Sequence, residues 1–197
     1  PVPAVGTSPK KSLIPRDVPA HNLGALGDAD GALHLFGGRA RDKRTGVMYF
    51  LISPSGVSAT MGRVVINGTH PGCQELRRAV RVCEWDGKLS AVHLPPHVGG
   101  GVALYGRLNS KPTRRWAQVA VAPAPGAPFG PFRALKWLGW TGCRVRGASV
   151  YYVVVEPNPG DPQGSLLGLF PVHELSGDGR CYLAFAVSCD GVTFGPP

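Results

Sequence analysis

Five cysteines, at positions 73, 83, 143, 181 and 189, are the side chains of this sequence best suited to metal binding or cross-linking, and none stands in a C-x-x-C pair. Zinc-site spacing is absent, and no cofactor is expected. Cys73 and Cys83 flank a stretch short enough for a local disulfide. Cys181 and Cys189 flank a strand-like run, and extended residues that far apart do not bridge. An odd number of cysteines leaves one thiol unpaired within the chain, free or available to a partner segment. Asn67-Gly68-Thr69 is an N-glycosylation sequon, which counts only in a secreted chain. Nucleophilic hydrolysis of the Ser-His-Asp kind finds no G-x-S-x-G elbow. The glycine-rich stretch VGGGVALYG, Val98 to Gly106, joins two strand-like runs with no helix after it, so it does not read as a phosphate loop.

Twenty-one Lys and Arg against 12 Asp and Glu leave a formal charge of +9. That balance favours an anionic partner, such as an acidic glycan or an anionic surface. The basic residues are scattered over 39–44, 77–78 and 114–115. No RNA-recognition, helix-turn-helix or zinc-finger signature accompanies them, so nucleic acid is the lesser reading. Trp85, Trp116, Trp137 and Trp140 present planes that either stack on sugars or fill a core.

The elements that must position these residues are clearest between 84 and 122. EWDGKLSAVHL, VALYGRLN and RRWAQVAVA are three strand-like runs separated by Pro- and Gly-rich or basic turns, the pattern of an antiparallel meander. Ala103, Tyr105, Arg107 and Asn109 fall on one face, and Val102, Leu104 and Leu108 on the other. PAPGAPFGPF then turns the chain towards a short fourth strand around Phe129 and Phe132. The same ending, strand then turn then short strand, recurs at Tyr49–Thr60, Trp116–Phe132 and Tyr182–Pro197, at a spacing of roughly 65 residues. Residues 21–60 form the first meander and 83–135 the second. The third begins near Cys143, with SVYYVVVEP as a buried strand followed by LLGLFPV and CYLAFAVS. A short helix is expected around Gln74–Val80, and residues 1–20, with five prolines, read as an extended leader. The 28 glycines and 20 prolines are spread between the runs, which means many turns and one folded domain over 21–197. An ordinary sandwich of similar hairpins is the competing architecture.

HNLGALGDADGALHLFGG, WDGKLSAVHL followed by LYGRLN, and YLAFAVSCDGVTFGPP resemble blades of the five-bladed β-propeller glycosidase superfamily, the group of fructosidases, arabinosidases and xylosidases. The likeness touches most of residues 20–197. Ser188 to Phe194 is also similar to the Asp-box turn of sialidases, one residue shorter. The implied fold is all-β, with antiparallel four-stranded meanders arranged as blades, about three of them in this chain. Residues 21–197 are then expected to be incomplete alone, with an open edge that a second chain or segment covers.

In such propellers ligands meet the face that carries the starts of the inner strands. The resemblance places His21, Asn22, Asp86, the Arg39–Asp42 loop, Arg107, Asn109 and Lys111 there. The superfamily's hydrolases use one carboxylic acid to protonate the leaving oxygen and a second as nucleophile or water activator. Asp86 matches the position of such an aspartate; its competing reading is a turn residue in Asp86-Gly87. His21-Asn22 stands where the first blade usually offers an aspartate. Glu84, Glu156 and Glu174 remain as partners, Glu156 at the end opposite Asp86. The expected function is a carbohydrate-binding or assembly module; the alternative is an active glycoside hydrolase with Asp86 as one acid. The expected partner is an acidic or neutral glycan and the expected location extracellular, with no apolar run long enough for a transmembrane helix.

Overall fold

The computed structural model describes residues 21–38, 46–52, 59–66, 86–110, 114–138, 148–174 and 181–197. The chain folds as three consecutive antiparallel meanders. The first runs β1 (His21–Gly27), β2 (Leu33–Gly38), β3 (Val47–Ile52) and β4 (Ala59–Ile66), paired in that order. The second runs β5 (Asp86–His93), β6 (Val102–Ser110), β7 (Arg114–Ala122) and β8 (Arg133–Ala134), followed by β9 (Lys136–Trp137). In the third, β10 (Ala148–Val150) and β11 (Val154–Pro157) are two halves of one interrupted strand, both paired with β12 (Leu166–Glu174). β13 (Cys181–Ser188) and the short β14 (Thr193–Phe194) complete it. Among the described residues the helical content is a single 3₁₀ turn at Pro96–Val98. The all-β blade architecture expected from the sequence is present.

The middle blade explains why β6 is apolar on both sides. Val102 and Leu104 pack with Leu26, Phe36 and Phe132 into a core shared with the first blade. Ala103 and Tyr105 pack with Val155, Phe170 and Phe194 into a core shared with the third. Period-two alternation sends neighbouring side chains to opposite faces, so one strand serves two sheet-on-sheet interfaces. Fully burying each large apolar side chain contributes about 1.5–3 kcal/mol.

The inner strands of the three blades lie side by side, and their neighbours are separated by one sequence offset. A Cβ on Gly24 would sit 2.9 Å from the Cβ of Leu89, and one on Gly87 would sit 3.5 Å from the Tyr152 ring. Asp28 and His93 approach to 3.4 Å. The hydroxyl of Ser90 accepts from the amide of Val155 at 3.0 Å and donates to its carbonyl at 3.1 Å. These contacts bring the starts of β1 and β5 to the same end of the assembly, here called upper.

Several expectations need correction. The fourth strand of the second blade begins at Arg133, after Phe129 and Phe132. Those two rings are buried against the first blade; the Phe129 amide donates to the Val65 carbonyl at 2.9 Å and its ring meets Phe36 edge-on. SVYYVVVEP is not one buried strand: it breaks at 151–153, with Tyr151 40% and Tyr152 38% exposed. β9 and β14 pair in parallel across the seam between the second and third blades. Trp116 and Trp137 are packing residues, Trp137 lying 4.6 Å from Phe170 between ring centroids.

Cys181 and Cys189 are both exposed. Cys73, Cys83, Cys143, Asn67, Trp85, Trp140, the leader at 1–20 and the helix expected at Gln74–Val80 lie outside the described residues. Among the described residues no helix is long and apolar enough to cross a membrane.

The turn at Ser188–Phe194 shows why its residue types are needed. Asp190 Oδ1 accepts from the amides of Val192 and Thr193 and from the Ser188 hydroxyl, while Ser188 Oγ accepts from the amide of Gly191. Gly191 has φ +73°, a conformation glycine adopts without steric cost. Partial burial raises the Asp190 pKa, but the hydrogen bonds from Thr193, Val192 and Ser188 outweigh it and leave the carboxyl below its ordinary value. The buried Tyr105 hydroxyl donates to the Gly191 carbonyl at 2.8 Å, tying this turn to the second blade.

Candidate functional site

At the upper end, β1 and β5 open with the same irregularity. The register of β1 on β2 shifts between His21 and Gly24, where Asn22 has φ +61°; that of β5 on β6 shifts between Asp86 and Ser90, where Gly87 has φ +78°. Asn and Gly are the residues that tolerate this left-handed backbone, and the bulge re-aims the first residues of each strand. His21 pairs with Gly38, and Asp86 with Arg107. Asn109 lies two residues further along β6, opposite Arg115. His21, Asn22, Asp86, Arg107 and Asn109 thus share the upper end by backbone position, while Arg39, Lys111 and Glu84 lie outside the described residues.

The third inner strand brings a tyrosine pair to this end. The Tyr151 and Tyr152 rings meet edge-on, 4.6 Å between centroids, and Tyr152 lies against Gly87, next to Asp86. The guanidinium carbons of Arg107 and Arg115 lie 5.3 Å and 5.0 Å from the Tyr151 ring centroid. Arg107 is buried, with a long 3.5 Å contact from Nη1 to the Tyr151 carbonyl. The Gln118 side chain donates to the carbonyl of Arg107 at 3.3 Å, holding the strand from behind. Glu156 is exposed on β11, five residues beyond Tyr151 and away from this end. Glu174 closes β12 opposite Ala148, so its backbone lies at the upper end of the third blade.

Tyr151, Tyr152 and Arg115 are the residues that sequence reasoning did not single out. A signal existed: adjacent residues of a strand face opposite sides, so a Tyr-Tyr doublet cannot put both rings into one core. Arg115 stood in a basic pair and was read only as scattered charge.

A second polar cluster occupies the lower end. His34 Nε2 and Asp28 Oδ2 are 2.6 Å apart, His34 Nδ1 and the Tyr49 hydroxyl 2.7 Å, and His93 Nε2 approaches Asp28 Oδ1. The hydrogen bond with His34 lowers the Asp28 pKa; partial burial opposes it, and the fields of His34 and His93 add to the lowering. Residues of the first and second blades are thereby joined through one carboxylate. Among the described residues no group of three or more His, Cys, Asp or Glu is placed to hold a metal ion.

No family model and no curated protein matches this chain by sequence. Solved structures match it by fold. An exo-β-1,3-galactanase from Phanerochaete chrysosporium, with galactose bound, has a TM-score of 0.56 at 15% identity over 88% of this chain. An exo-β-1,3-galactanase from Clostridium thermocellum scores 0.58 at 14% identity over 84% of this chain. A GH43 β-1,3-galactosidase with galactodeoxynojirimycin scores 0.52 at 12% identity over 88% of this chain. The matched region spans 39%, 36% and 64% of those three chains respectively. These similarities show a β-propeller fold alone, with three blades among the described residues, and the chain spans less than two thirds of the length of each of these structures.

Proposed function

We propose that this chain is a carbohydrate-binding module built on a glycosidase-like fold, and that by itself it binds glycan more readily than it hydrolyses it. The observation that carries the reading is the set of residues at the upper end of the three inner strands. By the offset that links Gly87 to Tyr152 and Ser90 to Val155, the positions beside one another there are His21, Asp86 and Tyr151. Acid-base hydrolysis takes two suitably spaced carboxylic acids, and this row contains one. Binding takes aromatic faces and hydrogen-bonding groups, which Tyr151, Tyr152, Asn22 and Arg107 supply. His21 and Asn109 belong to the same proposed surface, and Arg39 joins it from the sequence.

The partner is a glycan, acidic or neutral, and β-1,3-linked galactose is the first sugar to test because the similar structures include galactanases. The reading further takes the protein as extracellular, glycosylated at Asn67, and completed by a second chain or segment. A hydrolase is the second reading, favoured by Asp86 opening β5 opposite Arg107 and by the backbone of Glu174 at the upper end of the third blade.

Turnover of a panel of aryl glycosides, galactosides included, by wild type and Asp86→Asn separates the two readings. The binding reading expects no turnover by either protein. Robust hydrolysis that disappears in the variant would overturn it.

A further inference from the structure

We infer that Tyr152 is the stacking platform of the upper end, the ring against which a pyranose lays its C–H face, and that Tyr151 braces it. The inference rests on the glycan-binding reading above and names the residue and the part of the sugar that meet. It starts from strand register. Val150 on β10 pairs with Val172 and Val154 on β11 pairs with Leu169, so four residue steps on the inner strand (150 to 154) face three on β12 (172 to 169). One residue is extra, which makes a bulge. The inner strands of the first two blades are irregular at the same end, between His21 and Gly24 and between Asp86 and Ser90. All three blades thus re-aim their inner strands along one rim.

The third bulge carries two adjacent rings. On a regular strand, alternation would turn one of Tyr151 and Tyr152 into the inter-blade core and the other out. Here both stay at the surface, while Val150, Val153 and Val155 beside them are buried. Two large rings left in water forgo burial, and such a departure beside a row of polar strand ends marks a place where a ligand supplies the missing contact. The two rings differ in what already occupies them. The guanidinium carbons of Arg107 and Arg115 lie over Tyr151, 5.3 Å and 5.0 Å from its centroid. Among the described residues no guanidinium lies over Tyr152. Tyr152 meets Tyr151 edge-on at 4.6 Å and has Gly87 beside it, where a Cβ would lie 3.5 Å from two of the ring carbons, so no Gly87 side chain covers that flank. An aromatic face of this kind takes the C–H side of a sugar ring, and polar groups along the rim take its hydroxyls.

The test measures binding of β-1,3-galacto-oligosaccharides and an array of other neutral oligosaccharides to the whole chain, with hits followed by calorimetry. Tyr152→Ala should weaken binding about tenfold or more at an unchanged unfolding midpoint, and Tyr152→Phe, which keeps the ring, should stay within about threefold of wild type. Binding should also give a near-ultraviolet tyrosine difference spectrum in wild type and in Tyr151→Phe, and none in Tyr152→Phe. Wild-type affinity in Tyr152→Ala overturns the platform but leaves glycan binding standing. Equal losses in Tyr152→Phe and Tyr152→Ala assign the contact to the hydroxyl and overturn stacking. Should Tyr152→Ala unfold, the spectrum decides: a signal that survives in Tyr152→Phe, or vanishes only in Tyr151→Phe, overturns the platform. Binding of no member by wild type overturns the glycan-binding reading and this inference with it.

Discussion

Asp28 shows how a short polar residue at a strand end can join two blades. Its carboxylate is shared between His34 of the first blade and His93 of the second, and its pKa is lowered chiefly by the hydrogen bond with His34. A group whose folded pKa lies below its unfolded value stabilises the fold above the unfolded value and loses that contribution as pH falls through the folded one. Asp28→Asn should therefore be less stable than wild type at neutral pH, and the difference should close as pH drops below the ordinary carboxylate range. Chemical denaturation of both proteins across the acid range measures it; a gap that stays constant with pH would show that charge is not the cause.

Between the facing inner strands β1 and β5, the backbones approach closely at Gly24. An added Cβ would meet the Leu89 Cβ at 2.9 Å and its carbonyl oxygen at 3.0 Å, both on the facing inner strand. Backbone cannot move aside as a flexible side-chain tip can, so Gly24→Ala must push β1 away from β5. The expected cost is about 1–3 kcal/mol, in the range of overpacked interiors. A lowered denaturation midpoint in Gly24→Ala, beside an unchanged or slightly raised one in the control Gly27→Ala, would agree. Gly27 has nothing within 4 Å of its missing Cβ, so the control isolates packing from backbone entropy.

For the molecule as a whole, the two larger cores lie between blades, and among the described residues no fourth blade lies against the outward face of the third. Leu183 and Phe185 are 49% and 50% exposed. Leu169 and Pro171 pair directly with them, and Val154 pairs with Leu169 on the same face. The interfaces already present are sheet on sheet, so another four-stranded blade is the occupant that fits, whether from further sequence or a second chain. Without it, the chain is expected to associate with rising concentration and to bind a hydrophobic dye. Lysine at both Leu183 and Phe185 should reduce both effects without lowering the unfolding midpoint. A wild-type chain that stays monomeric and dye-free at high concentration would refute this.

Strand positions were legible in the sequence because they depend on local chemistry. Period-two alternation and Gly- or Pro-rich punctuation located β5, β6 and β7 to within about two residues. The turn chemistry of Ser188–Phe194 was equally local, each side chain bonding backbone within three residues. The same pattern puts Asp86 and Arg107 on neighbouring hairpin strands, which pair with each other there.

What packs on each face was decided only in three dimensions. Apolar residues on both sides of β6 do not say which blade covers which side, and SVYYVVVEP reads as a buried strand until its break is seen. The Asp28 cluster and the Arg107–Tyr151–Arg115 seam join residues from separate hairpins or blades. Alternation and turn propensity encode which face a residue points to along its own strand, but not which distant strand it meets. That choice is made when the sheets stack, by the fit of Gly24 against Leu89 and of Ser90 against Val155.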